Sequence, residues 1–175
     1  DDPRDLHRRA AEYYLSEGSV RGFLEAIYHM IRARDFERAA ENVKEDLQSE
    51  RYNCIGEGYL AQYFNLLRSI PHEAVDEQTW CWLLYGIGRI HLAQGRFEEA
   101  VRTFSELLRE ADSSEVNLIA KVFRFLGKAY LCLGNLEAAE SCFSKGLALL
   151  RRIGDFGELG RLSSEVALLH FYRGD

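Results

Sequence analysis

The sequence predicts an all-α chain of antiparallel helix hairpins stacked as a solenoid, and three observations support this fold class. Apolar residues follow helical spacing in almost every segment. Only two of the 175 residues are proline, which is typical of mostly helical chains because proline breaks helix interiors. A pattern of glycine, alanine and aromatic residues also recurs after 39 residues, from Gly88 to Gly127. Repeats of this length stack into linear arrays whose inner wall binds ligands.

Four helices are predicted in residues 1–71, which we interpret as a helical arm or as degenerate repeats. Their apolar stripes are Leu6, Ala10, Tyr13 and Tyr14; Phe23, Ala26, Ile27, Met30 and Ile31; Phe36, Ala39, Ala40, Val43 and Leu47; and Tyr59, Leu60, Tyr63, Phe64, Leu66 and Leu67. The first stripe ends near Gly18, and Asp35 is expected to cap the third helix. The fourth ends at Ile70-Pro71, because the residue before proline disfavours helical geometry. Whether residues 52–71 form a repeat or a connector stays open.

Residues 72–175 are predicted to form the repeats, at about 77–112, 116–153 and, in part, 156–175. The helices expected in them are Trp80–Ala93, Phe97–Glu110, Val116–Leu133, Leu136–Arg152 and Phe156–Tyr172. Gly95 and Gly134 should end helices with a left-handed residue, and Ser113 and Ser114 should cap the helix that follows them.

The repeat is defined by residues at matching offsets. They are Leu84, Ile87, Gly88, His91, Ala100 and Phe104 in one copy, and Phe123, Leu126, Gly127, Tyr130, Ala139 and Phe143 in the other. Because glycine inside a helix costs about 1 kcal/mol against alanine, Gly88 and Gly127 are expected where two helices approach closely. Ordinary amphipathic helices in a bundle are the alternative, but a bundle has no need of matched offsets.

The last predicted helix lacks its partner. Gly174 follows Gly134 by 40 residues, and the second helix of that unit would come after it. We therefore expect the apolar side of this helix to be shielded by another molecule or to fray.

Charge and composition exclude several classes of function. The net charge of −6 gives no electrostatic reason to expect nucleic-acid binding. No run approaches the roughly 20 apolar residues of a membrane span, and the polar start Asp1–Asp5 does not resemble a signal peptide. We expect a fragment of a longer cytoplasmic protein. Its cysteines are expected to be reduced core thiols; they are Cys54, Cys81, Cys132 and Cys142.

No pattern indicates catalysis, a metal or a cofactor. The sequence contains no H-E-x-x-H, C-x-x-C or G-x-S-x-G motif, and His72-Glu73 lacks the second histidine of a zinc site. His91 and His170 occupy a packing position of the repeat. The chain is therefore not expected to be an enzyme.

The repeat residues resemble tetratricopeptide repeats from about Cys81 to Asp175. Leu84 and Phe123 replace the tryptophan of that family, its usual proline is absent, and the unit has 39 residues instead of about 34. The resemblance implies a right-handed superhelical solenoid of helix hairpins.

The chain also resembles the helical arm and sensor of STAND-class signal-transduction ATPases, such as the maltose-regulon activator and LuxR-type regulators. The segments that carry this resemblance are Leu6–Tyr14, Glu25–His29, Asp35–Ala40 and Gly58–Pro71. It implies a module that contacts an ATPase domain and keeps it inactive until an inducer binds. This chain has no G-x-x-x-x-G-K-[ST] phosphate loop, so any nucleotide site would lie outside it.

In tetratricopeptide arrays the first helix of each unit forms the inner wall, so the resemblance assigns a concave face. We predict that this face binds a protein or peptide segment, or an anionic or carbohydrate-like inducer. Lys121, Arg124 and Lys128 share one helix face at i, i+3 and i+7, and arginine can bind a carboxylate bidentately. A solvated face whose cations pair with acidic neighbours such as Glu115 is the alternative. The predicted binding residues are Trp82, Tyr85, Arg89, Lys121, Arg124, Lys128, Arg161 and Phe171.

The sequence therefore favours a non-catalytic regulatory module, the arm and repeat sensor of a STAND-type ATPase or LuxR-type regulator. The alternative is a free-standing tetratricopeptide scaffold that holds a peptide segment for protein assembly. A second basic set, Arg32, Arg34 and Arg38 with His7–Arg9, forms either surface ion pairs or a contact with the absent ATPase module.

Overall fold

The computed structural model describes residues 2–52, 54–55 and 58–174, and every regular element in these ranges is helical. This confirms the predicted all-α class. The helices are α1 (Pro3–Ser16), α2 (Val20–Arg32), α3 (Phe36–Ser49), α4 (Leu60–Arg68), a short 3-10 turn (His72–Ala74), α5 (Glu77–Ala93), α6 (Phe97–Glu110), α7 (Val116–Cys132), α8 (Leu136–Ile153) and α9 (Phe156–Arg173). They group into two compact units, Asp1–Ile90 and His91–Asp175. Within the described ranges, no helix combines the length and apolarity that crossing a bilayer requires.

The first unit is built on the hairpin of α1 and α2, with α3 and α4 packed against α2. The Asp2 side chain accepts a hydrogen bond from the Arg4 amide, and Ser19 Oγ accepts one from the Gly22 amide, so both helix starts are capped. The apolar face of α2 is buried, as its helical spacing predicts.

The second unit is dominated by the hairpin of α7 and α8, which α6 and α9 flank. Gly95 and Gly134 adopt φ values of 73° and 76° before α6 and α8, which confirms the predicted left-handed turns. A hydrophobic core joins α7, α8 and α9; its buried members are Ala120, Leu131, Ala139, Phe143, Leu150, Leu162 and Leu169.

The close approach expected at Gly127 is present in the second unit. A Cβ atom built at this glycine would lie within 2.5 Å of Cδ1 of the Phe143 ring. Gly127 is thus required because the ring of α8 occupies the space of a side chain on α7.

The start of α5 and the cap of α7 differ from the prediction. α5 begins at Glu77, three residues before the predicted Trp80, because Asp76 Oδ1 accepts a hydrogen bond from the Thr79 amide at 2.8 Å and caps the first turn. The predicted capping of α7 by serines is wrong. Glu115 is its N-cap residue, and Asp112 Oδ1 accepts from the Ser114 amide at 2.7 Å in the preceding turn.

The expectation of core thiols holds for three of the four free cysteines. Cys54, Cys81 and Cys142 are buried, whereas Cys132 is exposed. Cys132 is the last residue of α7, where the helix reaches the turn at Gly134, so its side chain meets solvent. Cys54 lies in the turn between α3 and α4.

We expect the first unit to lose stability as the pH falls below about 6.5. His7 Nδ1 on α1 and His29 Nδ1 on α2 lie 2.7 Å apart, so one ring donates a hydrogen bond to the other. Burial, followed by repulsion from His7, lowers the pKa of His29, while Glu25 acts in the opposite sense. The folded state therefore binds fewer protons than the unfolded chain, and stability rises with pH through this window.

Urea unfolding at about pH 7.5 and 5.5, on either side of the ordinary histidine pKa, measures this effect. His29→Gln should flatten the pH dependence because it removes the titrating ring. An unchanged slope in that variant would contradict the assignment.

Candidate ligand-binding faces

The three predicted cations of α7 differ in their environments. Lys121 and Arg124 are buried, whereas the Lys128 side chain is about half-exposed. Burying a charge is costly unless it is paired. The partners of each cation therefore show whether it holds helices together or can also bind a ligand.

Arg124 forms a buried ion pair with a glutamate of α9. Its Nε donates to Glu158 Oε2 at 3.0 Å, and the two side chains are only 9% and 5% exposed. The Arg124 guanidinium also lies 4.1 Å from the centroid of the Phe125 ring. Arg161 Nη1 donates to the other oxygen, Glu158 Oε1, at 2.5 Å. One buried carboxylate is thus shared by two arginines, and Arg124 joins α7 to α9.

Lys128 and Arg161 are the more accessible cations of this face. Lys128 Nζ lies 3.2 Å from Glu165 Oε1, and its side chain is 43% exposed. The Arg161 side chain is 55% exposed despite its pairing with Glu158. Both groups therefore keep part of their hydrogen-bonding capacity directed to solvent. Phe171, a further predicted residue of α9, is 76% exposed.

The predicted residues of α5 form a separate cluster in the first unit. Trp82 and Tyr85 are buried and meet edge-to-face, with their ring centroids 5.4 Å apart. The Arg89 guanidinium lies 5.5 Å from the Tyr85 centroid and 3.7 Å from Glu50 Oε1. Arg89 is thus held between an aromatic face and a carboxylate.

A small pocket of about 230 Å³, part of it open to solvent, lies beside Arg89. Its lining residues are Asp46, Leu47, Glu50, Cys54, Ile55, Tyr63 and Arg89. Burial raises the pKa of Asp46, although its Oδ1 accepts a hydrogen bond from the Tyr52 amide at 2.8 Å. Burial also raises the pKa of Tyr63, and the Asp46 charge adds to this effect.

Sequence reasoning missed Asp46, Glu158 and Glu165 as members of these clusters. Asp46 carried a signal, because it directly precedes Leu47 of the apolar stripe and follows Val43 by three residues. The sequence signal for the two glutamates of α9 was weaker, because they lie beside the cations only through the packing of α9 against α7. In the described ranges, no group of three histidine, cysteine or carboxylate side chains is placed to hold a metal ion.

Comparison with protein families assigns the middle of the chain. Residues 81–152 match the family model of the tetratricopeptide repeat. Searches of curated proteins and of solved structures gave no match. Modules of this type are generally binding scaffolds without catalytic activity. Residues 81–152 are thus similar to the tetratricopeptide repeat, which agrees with the helix hairpins of this part of the chain.

Proposed function

We propose that the chain is a non-catalytic regulatory module whose α7–α9 face binds an acidic protein segment or an anionic inducer. The observation that carries this proposal is the pair of half-exposed cations, Lys128 and Arg161, on the first helices of successive repeat units. Each is held in place by a glutamate of α9, so little conformational entropy is lost when a ligand arrives.

Both cations would recognise carboxylates. Arg161 presents a planar guanidinium that matches a carboxylate bidentately, and Lys128 presents a point charge. An acidic ligand would share these cations with Glu158 and Glu165, which are already bound to them. The exposed ring of Phe171 adds an apolar contact for a peptide side chain or for a sugar face.

The proposed site has contact residues and supporting residues. Lys128, Arg161 and Phe171 are the proposed contacts in the second unit. Arg124 shares the Glu158 carboxylate with Arg161, and Lys121 is buried on the same helix as Lys128. A separate candidate contact lies within the first unit, where the buried rings of Trp82 and Tyr85 lie beside Arg89.

We further propose that the module is the arm and sensor of a STAND-type ATPase or LuxR-type regulator. Ligand binding to one docking state of such a sensor would shift its equilibrium by the difference in affinity between states. The arm-like segments of residues 1–71 support this context. The reading frame upstream of Asp1 tests it: a phosphate-loop motif supports the sensor, and a frame without one would contradict it.

Charge reversal at the two exposed cations is expected to weaken binding of an acidic ligand by at least tenfold. A library of acidic peptides, sugars and nucleotides would first be screened by thermal shift, since a specific ligand raises the melting temperature. The dissociation constant of the best ligand would then be compared between the parent chain and Lys128→Glu/Arg161→Glu.

Arg102→Glu, at an exposed position of α6, is the matched control. It reverses one positive charge, as each substitution of the double variant does, but at a site outside α7 and α9. Equal affinity in the double variant and the parent chain would overturn the placement of the ligand on α7 and α9.

A further inference from the structure

An exposed stripe runs along the whole of α9. Phe156 and Phe171, at its two ends, are 82% and 76% exposed. Between them lie four small and exposed residues at helical spacing: Gly160, Ser163, Ser164 and Ala167. Largely exposed aromatic rings are unfavourable in water, so the stripe requires an explanation.

The internal repeat shows that the same face of α7 is covered by a helix. Ala120, Gly127 and Leu131 lie 40 residues before Gly160, Ala167 and Phe171 and are all buried. α8 covers them, and its Phe143 ring fills the space beside Gly127. In contrast, a Cβ atom built at Gly160 would meet nothing within 4 Å. The α9 stripe therefore has the character of a helix-accepting face that no described helix of this chain covers.

The residue types of the stripe follow a palindromic order along α9. Its centre lies between Ser163 and Ser164, with glycine or alanine next on each side and phenylalanine at each end. Two α9 helices packed antiparallel would therefore place Phe156 opposite Phe171 of the second copy, and Gly160 opposite Ala167 of the second copy. Such self-complementarity is what a twofold-symmetric interface requires.

We propose that α9 is the contact face of a twofold-symmetric dimer of this chain, formed by antiparallel packing of this stripe. The small residues at its centre let the two helix axes approach to about 8 Å. Antiparallel packing also brings each helix N-terminus beside the C-terminus of the other, which the helix dipoles favour.

The exposed area of the stripe approaches what a modest dimer needs. Each phenylalanine offers roughly 150 Å², so the four rings of a dimer supply roughly 600 Å². Leu168, which is partly exposed, and the small residues raise the total towards the roughly 1,000 Å² that a specific interface needs.

Charge does not oppose this pairing. Arg161 and Arg173 of α9 are already bound to Glu158 and Glu140 of their own chain. Phe171 also belongs to the ligand face proposed above, so an acidic ligand and the second copy would compete at this end of α9.

Sedimentation of the 175-residue chain tests the proposal. At high micromolar concentration the chain should have twice its monomer mass of 20.1 kDa, and Phe156→Ser/Phe171→Ser should be monomeric. Tyr13→Ser, which removes an exposed ring from α1, should leave the dimer intact. Circular dichroism would confirm that the variants stay helical. A monomeric parent chain would overturn the proposal and leave the face to a helix of another protein.

Disulfide trapping tests the antiparallel geometry. In a Cys132→Ser background, Ser164→Cys should cross-link two chains, since both thiols would lie within one residue of the symmetry axis. Ala167→Cys should not, because its two copies would be offset by seven residues, about 10 Å along the helix. Cross-linking at both positions would indicate parallel packing and would also overturn the proposal.

Discussion

Replacement of Arg124 by alanine is expected to lower the free energy of unfolding of the second unit by about 3–5 kcal/mol. The substitution leaves Glu158 buried with Arg161 as its partner, at the edge of the face and half in solvent. Removal of the buried member of this cluster is costly because the buried Glu158 carboxylate then keeps only a partner that is half in solvent. Urea unfolding followed by circular dichroism measures the change.

Two variants separate pairing from packing. Arg124→Met/Glu158→Leu removes both charges while it retains most of the volume, and it should recover most of the lost stability. Lys128→Ala, which breaks the exposed pair with Glu165, should cost less than about 1 kcal/mol. A loss below about 1 kcal/mol for Arg124→Ala as well would show that Glu158 is not dependent on Arg124.

A valine at Gly127 is expected to destabilise the second unit by about 1–3 kcal/mol. Valine is a better helix former than glycine, so a substitution without steric conflict would be neutral or stabilising. At this position, however, the new side chain would overlap the ring of Phe143, which is 1% exposed and so must shift within a packed core. The same unfolding measurement detects the loss.

Gly160→Val is the matched control, because the space around Gly160 is open. Measured at low protein concentration, it should change stability by less than about 0.5 kcal/mol. Phe143→Leu combined with Gly127→Val should restore part of the loss. If the two glycine variants behaved alike, the ring of Phe143 would not be the reason for glycine at 127.

Most of the helices could be predicted from spacing and turn residues because these signals are local. Phe97–Glu110 was predicted with its observed bounds, and Gly95 and Gly134 marked the turns. The start of α5 was missed because its cap, Asp76, lies outside the apolar pattern.

The candidate site was harder to predict from the sequence than the helices, because ion pairing between helices depends on tertiary packing. The i, i+3, i+7 pattern correctly placed Lys121, Arg124 and Lys128 on one helix, but the pattern gives no information on burial. Only the packing of α9 on α7 shows that Arg124 is enclosed while Lys128 reaches solvent. The burial of Trp82 and Tyr85 likewise depends on neighbours distant in sequence.

The shared carboxylate of Glu158 has a consequence for local opening of the terminal helix. Detachment of the first turns of α9 would separate a carboxylate from two guanidinium groups, so these turns should open only together with the α7–α8 hairpin. Beyond Leu169, the helix is held by the more exposed pair of Arg173 and Glu140. In the monomer, amide hydrogen exchange should therefore be slow in the first half of α9 and fast in its last turn, whereas symmetric fraying would make exchange fast at both ends.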